Sequence, residues 1–228
     1  MDAEEQTIVE LAYPGEYLSR LGCAETKTCK IRLSRKGQGL LARMYARKGY
    51  SMQATLSHDC DLSSLVVQID GQSQGTISVR MDDGHLAAEE QYPEFIAELR
   101  QRGARICEMG KLAMDPGVRS KHVLGAIFHI AWIVAFRARR ATDIVIEVNP
   151  RHAPFYRRML CFDQIGPERM CERVGAPAVL LHIGADKGRR LIDQFGGQPK
   201  LASVERSFYP YFFHPDDEEG LLRRLSVG

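Results

Sequence analysis

The sequence predicts a mixed α/β fold, a central sheet flanked by helices. Three observations carry that expectation. Ile106 to Met114 and Ile144 to Val148 are segments of strand length and strand character. Between them, Val123 to Arg140 is apolar over a length that suits a buried helix. Strand, helix and strand in that order make a crossover that pairs the two strands in parallel. Ligands of such sheets sit beyond the carboxyl ends of the parallel strands, here just after Met114 and just after Val148.

The other elements follow in chain order. Residues 1–28 form an N-terminal extension, in which Tyr13, Tyr17, Leu18 and Leu21 suit a short helix and Pro14-Gly15 breaks the segment. Lys30 to Leu33 alternates polar and apolar like a half-buried strand. Leu40, Leu41, Met44, Tyr45 and Lys48 recur at helical spacing and Gly49 marks an end. Leu65 to Ile69 and Thr76 to Val79 are β-rich, with Asp70-Gly71 and Gly75 between them, which predicts an antiparallel hairpin. Pro93 to Arg102 suits a helix with proline in its first turn. After Phe162, Arg169–Val174 and Ala178–Ile183 read as two strands separated by Gly175-Ala-Pro177. Residues 29–184 thus hold the main domain, and 185–228 a C-terminal extension on it, with the aromatic run Phe208 to Phe213 as a packing clasp.

Composition narrows the class. The chain has 228 residues, 44% apolar and 26% charged, with a net charge of +2. That is ordinary for a soluble domain with one substantial core. The small net charge and the lack of a recognition motif argue against nucleic acid. Six cysteines show no Cys-x-x-Cys pair, and no histidine cluster has zinc spacing, so no metal site is expected. Asp2, Glu4 and Glu5 stand where a signal peptide would carry Lys or Arg, which with the cysteines predicts a reduced, cytoplasmic protein. Val123 to Phe136 is too short to span a bilayer, so no stable membrane insertion is expected.

Several residues could carry chemistry. Ile106, Glu108, Gly110 and Leu112 share one face of an alternating strand. A carboxylate among apolar neighbours has a raised pKa, which suits a general base; an edge carboxylate paired with Lys111 is the other reading. Gly110 inside a strand marks a bulge or a close backbone approach, or merely admits a bulky neighbour. Arg119-Ser-Lys-His122 is a basic turn before the long helix. Glu147 and Asn149 share a face of the second core strand, and Asn149-Pro150 also starts turns well. Tyr156 either packs a short helix or offers a phenol as proton donor. Asp59 and Asp61 could bind the amine of a substrate, but read better as caps, and His129 reads as a satisfied core histidine.

The order from Ile106 to Phe162 resembles the core of the GNAT acyltransferase superfamily. Glu108-x-x-Lys-Leu112 resembles the corresponding strand of acyl-homoserine lactone synthases, with Lys111 where they have Arg. Lys111 to Lys121, Glu147 to Leu160 and Cys171 to Leu181 resemble the bacterial long-chain N-acyl amino acid synthases of the N-acyltyrosine type. The likeness spans roughly residues 28 to 184.

That resemblance implies a GNAT-like sheet and aminolysis of a thioester. Glu108 would be the base and Glu147 its reserve. The backbone at Met109 and Gly110 would polarise the thioester carbonyl. Asn149 would contact the pantetheine arm, and Tyr156 would protonate the departing thiolate. Ser120 and His122 stand where the family pattern has glycines that close on a pyrophosphate. Arg119, Lys121 and the helix N-terminus remain for a single phosphate, such as that of the 4'-phosphopantetheine arm of an acyl carrier protein. No cofactor would be resident. Arg157 and Arg158 would meet the acidic carrier protein, Phe128 and Trp132 could line an acyl tunnel, and an arginine, with Arg80 as first candidate, would meet the carboxylate of the acceptor amino acid, tyrosine. A lactone synthase, a CoA-dependent N-acyltransferase and a non-catalytic module that binds acyl carrier protein are the alternatives.

Overall fold

The computed structural model describes residues 6–12, 28–34, 63–69, 71–118 and 120–226. The helical spacing at Leu40 to Lys48, the aspartates 59 and 61, the helix expected around Tyr13 to Leu21 and Arg119 lie outside those residues.

The described strands are β1 (Gln6–Ala12), β2 (Thr28–Ser34), β3 (Ser63–Ile69), β4 (Gln72–Met81), β5 (Ile106–Met114), β6 (Asp143–Val148), β7 (Asp163–Gln164), β8 (Arg169–Cys171) and β9 (Ala176–Gly184). They form one mixed sheet in the order β1-β2-β3-β4-β5-β6-β9-β7, with β8 on β9. Neighbours are antiparallel except β5 and β6, the parallel pair the crossover demands. The predicted mixed α/β fold is what the chain adopts.

Three elements differ from the sequence reading. Gln6–Ala12 is an edge strand paired to β2, where no strand was expected. Gly75 lies inside β4 rather than in the hairpin turn, at a register shift against β3; a side chain there would run into Met114 Sδ. The β8–β9 turn falls at Glu172–Gly175, with Gly175 at φ 61, so Ala176 and Pro177 belong to the strand.

Two cores lie on opposite faces of the sheet. On one face Cys107, Met109, Ile144, Ile146, Leu181 and Ile183 pack with α2 (Lys121–Trp132). On the other, Ile106, Val145 and Leu180 pack with Ile96 and Leu99 of α1 (Pro93–Gln101). The period of two along each strand sends Ile106 and Cys107 to different faces.

Helix α2 is apolar nearly all round, which requires cover on every side. The sheet covers one side. The C-terminal residues cover the other, through the 3-10 turn Tyr209–Tyr211 and α5 (Glu218–Ser226), with α4 (Ala185–Phe195) beside them. The helix continues as a π-helical stretch, Ile133–Ala138. Lys121–Ala138 therefore makes 18 helical residues of mean hydropathy 1.2, long enough to cross a bilayer, contrary to the sequence expectation. Burial of 67% of that stretch identifies it as a core helix.

Inside this cover Glu218 accepts hydrogen bonds from Arg137 at 2.6 Å and Arg189 at 2.8 Å, and lies 3.1 Å from His129 Nε2. His129 Nδ1 accepts from the Phe213 N–H at 3.0 Å, so its Nε2 carries the proton given to Glu218 and the ring is neutral. His129 is thus a satisfied core histidine. Arg137, expected to need no partner at its helix end, has one in Glu218 and another in Glu219.

Candidate active site

The parallel ladder between β5 and β6 runs Ile106↔Asp143, Cys107↔Ile144 and Glu108↔Val145, and stops. Both strands continue, β5 to Met114 and β6 to Val148, without pairing each other among the described residues. The result is a slot between the carboxyl halves of the two strands, where the crossover topology places a ligand.

A bulge turns β5 at the same point. Ser78 pairs with Gly110 and Thr76 with Ala113, so β5 advances one residue more than β4 does. The extra residue lies after Gly110, and Lys111 takes the left-handed conformation, φ 51. The expected bulge is therefore present, but the residue that bends is Lys111. A Cβ on Gly110 would meet only Ser78 Oγ at 3.7 Å, so glycine is not sterically required there. Met109 points into the α2 core at 7% exposure and offers the slot only its backbone.

Glu108 points to the α1 face. Its two carboxylate oxygens accept from the N–H groups of Ala87 at 2.8 Å and Ala88 at 3.0 Å. Burial pushes its pKa up, the two N–H donors pull it back, Glu147 pushes it up again and Arg173 lowers it. The net direction is upward. Arg80 stands opposite Glu108 in the β4–β5 register and on the same face. It is largely buried and 3.7 Å from Asp83.

Glu147 shares that face, two residues beyond the last parallel rung. Arg173 Nη2 donates to its Oε1 at 2.8 Å, and Arg173 Nη1 donates to the Ala87 carbonyl at 2.9 Å. Burial, then the Glu147 carboxylate, push the Cys171 thiol up. Arg173 and Cys171 were not singled out from the sequence as site residues. Arg173 lies in the β8–β9 turn, where a charge reads as solvated; only the folding of that hairpin back over β6 brings it to Glu147.

The remaining candidates lie outside this cluster. Asn149 accepts from the Arg151 N–H at 3.2 Å and caps the 3-10 turn Pro150–His152. Tyr156, on α3 (Ala153–Leu160), packs with the α2 core, edge-on to Phe162 and Phe155. It thus belongs to the opposite face of the sheet from Glu108, and among the described residues no contact brings the two together. Cys161 ends α3 at φ 59, a position where glycine is favoured. Ser120 caps α2 by accepting from the Val123 N–H at 3.4 Å. Lys121 and His122 are exposed and both meet the Tyr211 ring, Lys121 Nζ at 5.8 Å and His122 edge-on at 4.8 Å. Arg157 and Arg158 are exposed on α3. Phe128 stacks on Phe208, and Trp132 is buried against Phe136 and Gly188; both are packed core rather than lining of an open passage. No group of three or more His, Cys, Asp or Glu among the described residues could hold a metal ion.

The chain is similar to known proteins in the following ways. The family model of the N-acyl amino acid synthase FeeM matches residues 36–184. The structure of FeeM, an N-acyl amino acid synthase from uncultured soil microbes, is 23% identical, with 72% of this chain and 93% of that chain covered and a TM-score of 0.61. An uncharacterized protein from Bacillus halodurans is 11% identical, with 81% and 94% covered and a TM-score of 0.51. A comparison with curated proteins finds no match. At these identities the solved structures speak for the fold, which is that of the GNAT acyltransferases.

Proposed function

From the membership of this chain in the FeeM N-acyl amino acid synthase family, a family of acyltransferases, we propose that it moves a long-chain fatty acyl group from an acyl carrier protein thioester to the α-amino group of tyrosine. The observation that carries this reading is Glu108, a carboxylate of raised pKa at the last parallel rung, with a buried arginine opposite it.

An amino acid at neutral pH is an ammonium ion and must lose a proton before it can attack. Glu108 takes that proton, directly or through a water. The amine then forms the C–N bond as the C–S bond breaks. Backbone donors near Met109 and Gly110 stabilise the oxyanion. The phenol of Tyr156, approached from the α2 face, protonates the departing thiolate. Of the three ammonium protons, one stays on the amide, one replaces the proton spent by Tyr156, and one leaves through Glu108. Arg80 holds the acceptor carboxylate, and Asn149 meets the pantetheine arm.

Exposed Arg157 and Arg158 suit an acidic carrier protein, and Ser120 and His122 in place of glycines favour a single phosphate, held by Arg119, Lys121 and the start of α2, over the pyrophosphate of CoA. The reaction belongs in the cytoplasm; the four described cysteines, Cys29, Cys107, Cys161 and Cys171, are all free.

Mass spectrometry of lipid extracts from a bacterial host tests the reading. N-acyl amino acids should accumulate with the parent chain and fall with Glu108→Gln, and the head group names the acceptor. Lactones instead, or no new lipid from soluble protein, would overturn it. Purified protein should use acyl carrier protein thioester in preference to acyl-CoA.

A further inference from the structure

Glu147 carries a feature that the fold does not need. Its side chain is 10% exposed; Arg173 donates to Oε1, and the Cys171 thiol also bonds the carboxylate. The other, Oε2, is buried with no hydrogen-bond partner. An unanswered buried acceptor is costly, about 1–3 kcal/mol and more when charged. Native proteins retain such atoms where a water, an ion or a ligand supplies the partner, or where the site has a catalytic role.

The surroundings define that donor. Glu108 and Glu147 share one face of the sheet, at the last parallel rung and two residues beyond it, and Arg173 bonds both Glu147 and the carbonyl of Ala87, the residue whose N–H Glu108 accepts. Arg173 divides its donors between Glu147 and the Ala87 carbonyl, with Glu90 a further 3.6 Å neighbour. With Glu108, Glu147 and Glu90 set against Arg173 and Arg80, the cluster keeps one surplus negative charge. Both oxygens of Glu108 already take backbone N–H groups, whereas Glu147 Oε2 takes none. A small cation with N–H donors, entering beside the slot, completes the set. A primary ammonium has that charge and that geometry.

We infer that Glu147 Oε2, held in place by Arg173, is the seat of the acceptor's α-ammonium. Glu147 binds and aims the amine, and Glu108 removes its proton. This rests on the acyltransferase reading above and assigns the two carboxylates different tasks.

Titration calorimetry tests it with two amino acids and their des-amino counterparts: tyrosine against 3-(4-hydroxyphenyl)propanoate, and leucine against 4-methylpentanoate. The parent protein should prefer the amino acid roughly tenfold or more, the worth of one charge-assisted hydrogen bond. Glu147→Gln should lose that preference while still binding the des-amino acid, and its KM for the amino acid should rise roughly tenfold with a much smaller change in kcat. The double variant Glu147→Gln, Arg173→Gln removes both charges of the pair and should lose the preference equally, which covers the case where the single variant folds poorly. A retained preference in either variant overturns the seat while leaving the acyltransferase reading intact. A parent protein that binds neither amino acid and acylates neither overturns both.

Discussion

Arg80 and Glu108 stand opposite each other across β4 and β5, at the last rung that β5 shares with β6 and two residues before β5 bulges. The proposed base and the proposed carboxylate-binding cation would thus sit on paired strands rather than on loops. Glu108→Gln should lower kcat by roughly 10²–10⁴-fold, the range for loss of a general base. Arg80→Ala should chiefly raise KM for the amino acid, by about tenfold or more, since a charge-assisted pair is worth about 1.5–3 kcal/mol. Steady-state kinetics on both variants checks this. An Arg80→Ala enzyme with unchanged KM would move the carboxylate site elsewhere.

The raised pKa of Glu108 has a kinetic and a thermodynamic sign. Below its folded-state pKa the base is protonated, so the acid limb of kcat/KM should lie above the usual glutamic acid value of about 4.3. Stability moves the other way: the folded state holds the proton more tightly, so this group's contribution declines as pH rises from the ordinary value through the folded one. A pH–rate profile of the parent should show the limb, and the limb should vanish in Glu108→Gln with residual activity flat across that window.

Glu218 ties α5 to α2 and α4. Burial alone would raise its pKa, but the hydrogen bonds from His129 and Arg189 outweigh it and hold the carboxyl down at about 2, from 4.5. The stability this gives is complete above pH 4.5 and is lost as pH falls towards 2, by about 3 kcal/mol. Burial lowers the pKa of His129, so its unfolded form binds protons first and stability also declines as pH drops below about 6.5. Glu218→Gln should cost about 1–3 kcal/mol at neutral pH: it removes the charge that accepts from both arginines, although Arg137 keeps Glu219 and Arg189 keeps Asp193. Denaturant unfolding across pH measures both effects; a variant as stable as the parent at pH 7 would contradict the account.

Gly125 gives the C-terminal clasp its seat. A Cβ there would lie 2.8 Å from both Cβ and the carbonyl oxygen of Tyr211. Gly125→Ala should therefore push the 208–213 segment off α2 and destabilise by about 1–3 kcal/mol despite the better helix propensity of alanine. Limited proteolysis should show faster cutting near Tyr211. Unchanged protection would mean the clasp is held elsewhere.

Arg157 and Arg158 project from α3 into solvent. Replacing both with Glu should raise KM for an acyl carrier protein by about tenfold or more at low salt, an effect that shrinks as salt screens it. Activity with a small thioester such as an acyl-pantetheine should stay within about twofold of the parent. Equal losses on both donors would place the two arginines in folding rather than docking.

What the sequence determined by itself was the periodic part. Ile106 to Met114, the apolar run from Val123 and Ile144 to Val148 were legible because burial on one or both sides of an element writes itself into the spacing of apolar residues. Their order required the parallel β5–β6 pair, and with it the location of the slot. Gly110 signalled a bulge in the right strand but one residue early: register against β4 is a long-range property, and it is Lys111 that takes the positive φ. The edge strand Gln6–Ala12 was missed although its partner is the next strand in the chain: the proline and glycine at 14 and 15 drew the reading of that region to a broken helix. Arg173 was hidden because a turn residue meets Glu147 only after β8 and β9 fold back across β6. Side-chain chemistry and local period are written along the chain. Which carboxylate is capped by Ala87 and Ala88, and which keeps an unanswered oxygen, is decided by contacts between segments far apart in it.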